Sequence, residues 1–137
     1  MKIMCIDYGN ARLGIALTDE MEMLAVPFCT IKNENVYSKL KNIIIEQKVD
    51  HVVVGLPSDW KGEDTIQSQK IRIFAENLEK KLEITVELFD ENYSTRDSYE
   101  ALRMMGYNAK KGKKLVDQMA ASLILKEYLK WKKSQNS

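Results

Sequence analysis

Three acidic positions stand where carboxylates can meet. Asp7 closes the run Ile3-Met4-Cys5-Ile6, a short apolar stretch patterned as a strand buried on both faces. Asp90-Glu91 ends a later apolar run, Ile84 to Phe89. Asp117 falls in the first turns of a helix predicted from Leu115 to Trp131, where the helix dipole favours an anion. The carboxyl ends of strands in a sheet with parallel pairs are the usual place for ligands. Carboxylates gathered there suit a hard divalent cation, because Mg2+ takes oxygen ligands and keeps waters. Two such ions about 3.5–4 Å apart can activate a water and stabilise the leaving oxygen in phosphodiester hydrolysis. Each acid also has a plainer role. Asp7 can close the turn at Gly9-Asn10, Asp90 can cap the turn before Ser94, and Asp117 can serve as a helix-start charge. Their joint placement favours the chemical role.

Cationic residues collect toward the far end of the chain. Between Arg103 and Lys133 nine Lys/Arg face two acids, a net +7 that leaves −6 for the remainder of a chain whose total is +1. A basic end on a near-neutral protein is a polyanion footprint. The segment Lys110-Lys111-Gly112-Lys113-Lys114, read as part of a basic loop from Gly106 to Lys114, directly precedes Asp117. Lysines beside a carboxylate cluster would hold a phosphate backbone; as a solvated loop they would only aid solubility. Arg12 can either grip a phosphate or pair with one of the acids. Trp60 can stack on an unpaired base or cover a neighbouring helix, and cover is the preferred reading.

Other chemistries have little support. The two cysteines, Cys5 and Cys29, sit in predicted strands and read as reduced core thiols of a cytoplasmic protein. With these and the single His51, neither a zinc site nor a histidine-based triad is expected. No run is long enough to span a membrane, and no signal peptide is expected, because the first apolar run soon meets Asp7.

The elements that must position these residues follow from periodicity. After the first strand, Gly14 to Thr18 and Val26 to Ile31 read as two more, the three forming an antiparallel meander. A helix capped by Asn33 or Asn35 runs to about Gln47, with Val36, Leu40, Ile43 and Ile44 on one face. His51 to Gly55 is a continuous β-branched run, as in a buried parallel strand. A helix from Thr65 to Leu82, the strand from Ile84 to Phe89, a helix from Ser94 or Thr95 to Met105 and the final helix complete the order. Right-handed crossovers then build an α/β domain with a mixed sheet, spanning residues 1–137 as a single unit.

Four segments together resemble the YqgF/RuvX family of Holliday-junction resolvases and pre-16S rRNA processing nucleases. They are Asp7-Tyr8-Gly9-Asn10-Ala11-Arg12-Leu13-Gly14-Ile15-Ala16, Val53-Val54-Gly55-Leu56-Pro57, Asp90-Glu91-Asn92-Tyr93-Ser94-Thr95, and Lys114 to Leu125. The resemblance implies a ribonuclease H-like fold, a five-stranded mixed sheet of order 3-2-1-4-5 with helices on both faces. It implies Mg2+- or Mn2+-dependent phosphodiester cleavage and assigns the catalytic and metal-binding carboxylates to Asp7, Glu91 and Asp117. Where the family has Asp-Glu-Arg, this chain has Asp90-Glu91-Asn92; Arg96, one helical turn on, can take over the missing contact. The better-known resolvases place an acid at the end of the fourth strand. This chain has Gly55-Leu56-Pro57 there, so Glu91 must reach further.

Three functions remain to be weighed. The first is a metal-dependent nuclease acting on pre-ribosomal RNA or branched DNA, with Arg12, Arg96, Lys110, Lys111, Lys113 and Lys114 as nucleic-acid contacts. The second is a non-catalytic nucleic-acid-binding module on the same fold. The third, an ATPase of the actin and sugar-kinase kind, needs a second similar domain that 137 residues do not supply. A monomer or weak homodimer without membrane association is expected; symmetric junction cleavage would require two sites.

Overall fold

A computed structural model describes residues 1–21, 23–57, 65–91 and 111–135; the side chains at 57, 91 and 111–115 lie outside that description. The expected helix from Ser94 or Thr95 to Met105 lies outside it too, as do Trp60, Asn92, Arg96 and Lys110. The described elements are β1 (Ile3–Tyr8), β2 (Arg12–Thr18), β3 (Ala25–Lys32), α1 (Val36–Gln47), β4 (His51–Pro57), α2 (Ile66–Leu82), β5 (Thr85–Glu91) and α3 (Lys111–Gln135). The sheet order is β3-β2-β1-β4-β5, as expected. β1 pairs antiparallel with β2 and parallel with β4, β2 pairs antiparallel with β3, and β4 pairs parallel with β5.

The alternation of β1 divides the core. Met4 and Ile6 join Leu13, Ile15, Leu40, Val52, Val54, Ile71, Phe74 and Leu78 on the face covered by α1 and α2. Ile3 and Cys5 join Ala16, Val53, Ala121, Ile124, Leu125 and Tyr128 on the face covered by α3. A run apolar at every position is what a central strand between two helical layers requires. The parity continues past the core: Tyr8 turns to the α1/α2 side, its ring 4.6 Å from that of Phe74, and Asp7 therefore faces α3.

Several boundaries differ from expectation. Thr65 caps α2 as predicted, its Oγ1 accepting from the Ser68 N–H at 3.0 Å. Asn35 occupies the cap position of α1 in a left-handed conformation, φ 51°, and makes no side-chain cap bond. Asn33 is used elsewhere: its Nδ2 donates to the carbonyls of Gly9 at 2.9 Å and Asn10 at 3.3 Å, lacing the β1–β2 turn to the end of β3. β4 runs through Leu56 and Pro57, which pair with Asp90 and Glu91, so the fifth-strand acids end a paired strand. Proline is tolerated at that terminal position.

The largest correction concerns α3. It begins at Lys111, so Lys111, Lys113 and Lys114 are helical rather than part of a loop. Lysine is a good helix former, and the one glycine weakens the turn by only about 1 kcal/mol. Asp117 is consequently well inside the helix. The dipole effect fades beyond the first turn, so something other than the helix start must accommodate its charge.

A candidate carboxylate site at the end of the central strands

That accommodation comes from β2. Arg12 Nε donates to Asp117 Oδ2 at 2.7 Å, across 105 residues of sequence. Asp117 is buried at 8% exposure, whereas Arg12 retains a third of its side-chain surface. A short charge-assisted bond to a buried carboxylate offsets much of its desolvation. Of the two roles read for Arg12, the acid pair is formed. An Arg12→Ala chain should lose on the order of 1 kcal/mol after allowance for solvent screening. Its urea midpoint should fall at unchanged m, whereas Arg12→Lys should recover only part, lacking the planar Nε–H.

Asp117 is brought close to β1 by a missing side chain. Gly14 is the cross-strand partner of Asp7. A Cβ built on Gly14 would lie 2.0 Å from the Asp117 carbonyl oxygen, 2.3 Å from its carbon and 3.0 Å from the Gln118 nitrogen. The backbone of α3 therefore rests directly on β2 beside Asp7. Opposed residues of an antiparallel pair stand about 5 Å apart at Cα, so Asp7 and Asp117 are neighbours on one face. Gly9 serves the turn: its N–H donates to the Arg12 carbonyl at 2.9 Å, and a Cβ there would meet that oxygen at 2.6 Å.

Glu91 is the last residue of β5, two strands from β1, and its backbone pairs with Pro57. Its side chain lies outside the described residues. Among the described residues no group of three or more His, Cys, Asp or Glu is near enough to hold a metal ion. The donor chemistry nevertheless fits Mg2+ or Mn2+, because Asp7, Glu91 and Asp117 offer carboxylate oxygen and neither sulfur nor imidazole. The starts of Lys111, Lys113 and Lys114 along α3 put their backbone in the turns just before Asp117.

The contacts that Gly14 and Asn33 make at this end of the sheet were not legible in the sequence. Gly14 and Asn33 act through tertiary contacts; the only local hint was a glycine inside an otherwise apolar strand, which often marks a close backbone approach.

Comparison with known proteins places the chain in a family. The family RuvX, described as Holliday junction resolvase, matches residues 1–131. This chain belongs to the RuvX family. A protein of Maridesulfovibrio salexigens named "Putative pre-16S rRNA nuclease" is 34% identical over 132 residues, covering 94% of this chain and 98% of its own length. A protein of the same name from Rickettsia conorii is 38% identical over 130 residues, covering 93% and 84%. Among solved structures, Thermus thermophilus RuvC in complex with a Holliday junction substrate aligns with a TM-score of 0.55 at 12% identity, covering 90% of this chain and 92% of that one. The fowlpox virus Holliday junction resolvase aligns at 0.54 with 15% identity, covering 95% and 99%. At such identities the structural likeness speaks for the fold, which is the ribonuclease H-like fold of RuvC-type resolvases. Among the described residues no helix is long and apolar enough to cross a membrane.

Proposed function

We propose that this RuvX-family chain is a divalent-metal-dependent nuclease acting on structured nucleic acid. Its leading reaction is 5′-end processing of pre-16S rRNA, with Holliday junction resolution as the other family activity. The observation that carries the reading is the seating of Asp117 on Gly14, opposite Asp7, which gathers two acids at the carboxyl end of the central strand. The curated names of the relatives support the RNA substrate.

Asp7, Glu91 and Asp117 carry three negative charges and Arg12 one positive, leaving the −2 that one divalent cation balances. When bound, Mg2+ or Mn2+ supplies Lewis-acid stabilisation of the phosphoryl oxygens and a water of lowered pKa. Asp7 and Asp117 hold the anionic end of the site in place before substrate arrives. Arg12 keeps Asp117 oriented through Nε and extends its remaining guanidinium surface toward the phosphate. Lys110, Lys111, Lys113, Lys114 and Arg96 are the assigned contacts to the phosphate backbone, so binding weakens steeply with salt.

The second reading is the binding module without cleavage. The Arg12–Asp117 pair favours it, since a carboxylate engaged by a guanidinium also serves as a structural anchor. One experiment separates the two. Purified protein is incubated with a 5′-extended 16S rRNA precursor, or with a four-way DNA junction, in Mn2+ or in EDTA, and Mn2+ binding is followed by calorimetry. The nuclease binds Mn2+ and shortens the RNA only in its presence. Cutting of the junction alone moves the assignment to resolution. Salt-sensitive RNA binding without Mn2+ uptake or cleavage leaves the binding module.

A further inference from the structure

The basic end of the chain divides into two surfaces. Asp117 and Leu129 are about 18 Å apart along α3, and around Leu129 the neighbours change. Met21, Met23 and Ala25, from the β2–β3 connection and the start of β3, line a groove of about 390 Å3 with Leu129 and four lysines, Lys126, Lys130, Lys132 and Lys133. Met21 is 76% exposed, Met23 68% and the adjoining Leu24 62%. This much apolar surface gathered at one connection marks an interaction site rather than scattered exposure, and methionine adapts to varied apolar partners.

Asp19 ties Met23 and Leu24 back to the end of β2. The Asp19 carboxylate accepts the N–H groups of Met23 at 2.8 Å and Leu24 at 3.1 Å, and the Asp19 N–H donates to the Leu24 carbonyl at 3.2 Å. Those two bonds also hold the Asp19 carboxyl below its usual pKa. Lys126, Lys130 and Lys133 stand at i, i+4 and i+7 on one stripe of α3, and all three are exposed.

We propose that this groove docks an acidic amphipathic segment of a partner protein, a short helix that sets two apolar side chains on Met21, Met23 and Leu129 and its Asp or Glu residues against Lys126, Lys130 and Lys133. Charge complementarity selects the occupant. The described lining carries four cations and no acid, so an apolar segment with basic flanks is repelled. A nucleic-acid strand would satisfy the lysines yet leave the methionines facing water, and the lining holds neither an aromatic ring nor an arginine on which a base could stack. The volume suits a pair of side chains from a helix laid in a groove. Lying along α3 from the carboxylates, the segment binds without displacing nucleic acid there.

The test uses the full chain labelled with 13C at the methionine methyls. The probes are a 14-residue helical peptide with Leu at i, i+3, i+7 and Glu on its other faces, poly-glutamate of equal length, and a 12-nucleotide single-stranded RNA, all at about 0.15 M salt. The Leu/Glu peptide should shift the Met21 and Met23 methyls saturably and bind at least tenfold more tightly than poly-glutamate. Lys126→Glu/Lys130→Glu should abolish that shift while leaving the melting temperature unchanged; Met21→Ser/Met23→Ser should reduce the peptide to the affinity of poly-glutamate. Equal binding of the two acidic probes, an absence of shift with the Leu/Glu peptide, or a stronger Met21 and Met23 response to RNA would each overturn the proposal.

Discussion

Asp7→Asn should leave the protein folded and take away cleavage. Asparagine keeps the shape of the side chain at the end of β1, so Met4, Ile6 and the pairing of position 7 with Gly14 are undisturbed. It removes one of the three negative charges against which a divalent ion is balanced and replaces an anionic ligand with a weak neutral one. A loss of ~10^3-fold or more in single-turnover cleavage is expected, about 4 kcal/mol of transition-state stabilisation. The melting temperature should move by no more than about 2 °C, because the change is isosteric and the position is not in the core. RNA affinity in EDTA should hold or rise slightly, since a negative charge is withdrawn from beside the phosphates. Binding kept and cleavage lost is the signature of a catalytic carboxylate. If the variant cuts at the wild-type rate, Asp7 is only the turn residue that its position beside Gly9 also allows.

The central strands, the antiparallel meander and the place of Asp7 were legible because they rest on local pattern, whereas the order 3-2-1-4-5 was implied by the family resemblance. Ile3 to Ile6 and His51 to Val54 are uninterrupted apolar runs, which only central strands covered on both faces tolerate. The short turn at Gly9-Asn10 leaves the first two strands no option but to be antiparallel neighbours. The start of α3 was not legible. Lys111 to Lys114 carry the composition of a solvated loop, and only packing farther along the helix, where Ala121, Ile124, Leu125 and Tyr128 are buried, makes its first turns worth forming. The partner of Asp117 was legible as one of two options. Arg12 could meet an acid or a phosphate, and no rule of spacing reaches across 105 residues. Asn33 suggested a helix cap because its side chain suits one; it instead donates to Gly9, 24 residues earlier, once β3 lies beside β2. The contact that holds Asp117 thus comes from the tertiary fold, whereas Asp7 and Asp90-Glu91 stood out as candidates because they fall toward the ends of strands.

Gly14→Ala should be the more damaging of the two glycine-to-alanine changes at Gly9 and Gly14. The new Cβ would fall far inside van der Waals contact with the Asp117 backbone, and a carbonyl inside a helix cannot rotate away as a long side chain would. Either α3 lifts by more than an ångström or β2 sinks from it. Lifting α3 separates Ala121, Ile124, Leu125 and Tyr128 from Ile3, Cys5, Ala16 and Val53, all buried, and leaves gaps that nothing fills. Ala16, on the same face of β2, shows that the next inward position along the strand accepts a methyl group but lies beside a different part of the helix. Overpacking of this kind destabilises by about 3 kcal/mol, which for a chain of this size lowers the melting temperature by roughly 6–12 °C. Because the displaced atom belongs to Asp117, the same methyl should also stretch the Arg12 bond and reduce cleavage at temperatures where the variant is still folded. Thermal melts and single-turnover cleavage at 15 °C read the two effects separately. A variant of wild-type stability would mean that α3 does not rest on β2 at this point, and with it would go the physical reason for Asp7 and Asp117 being neighbours.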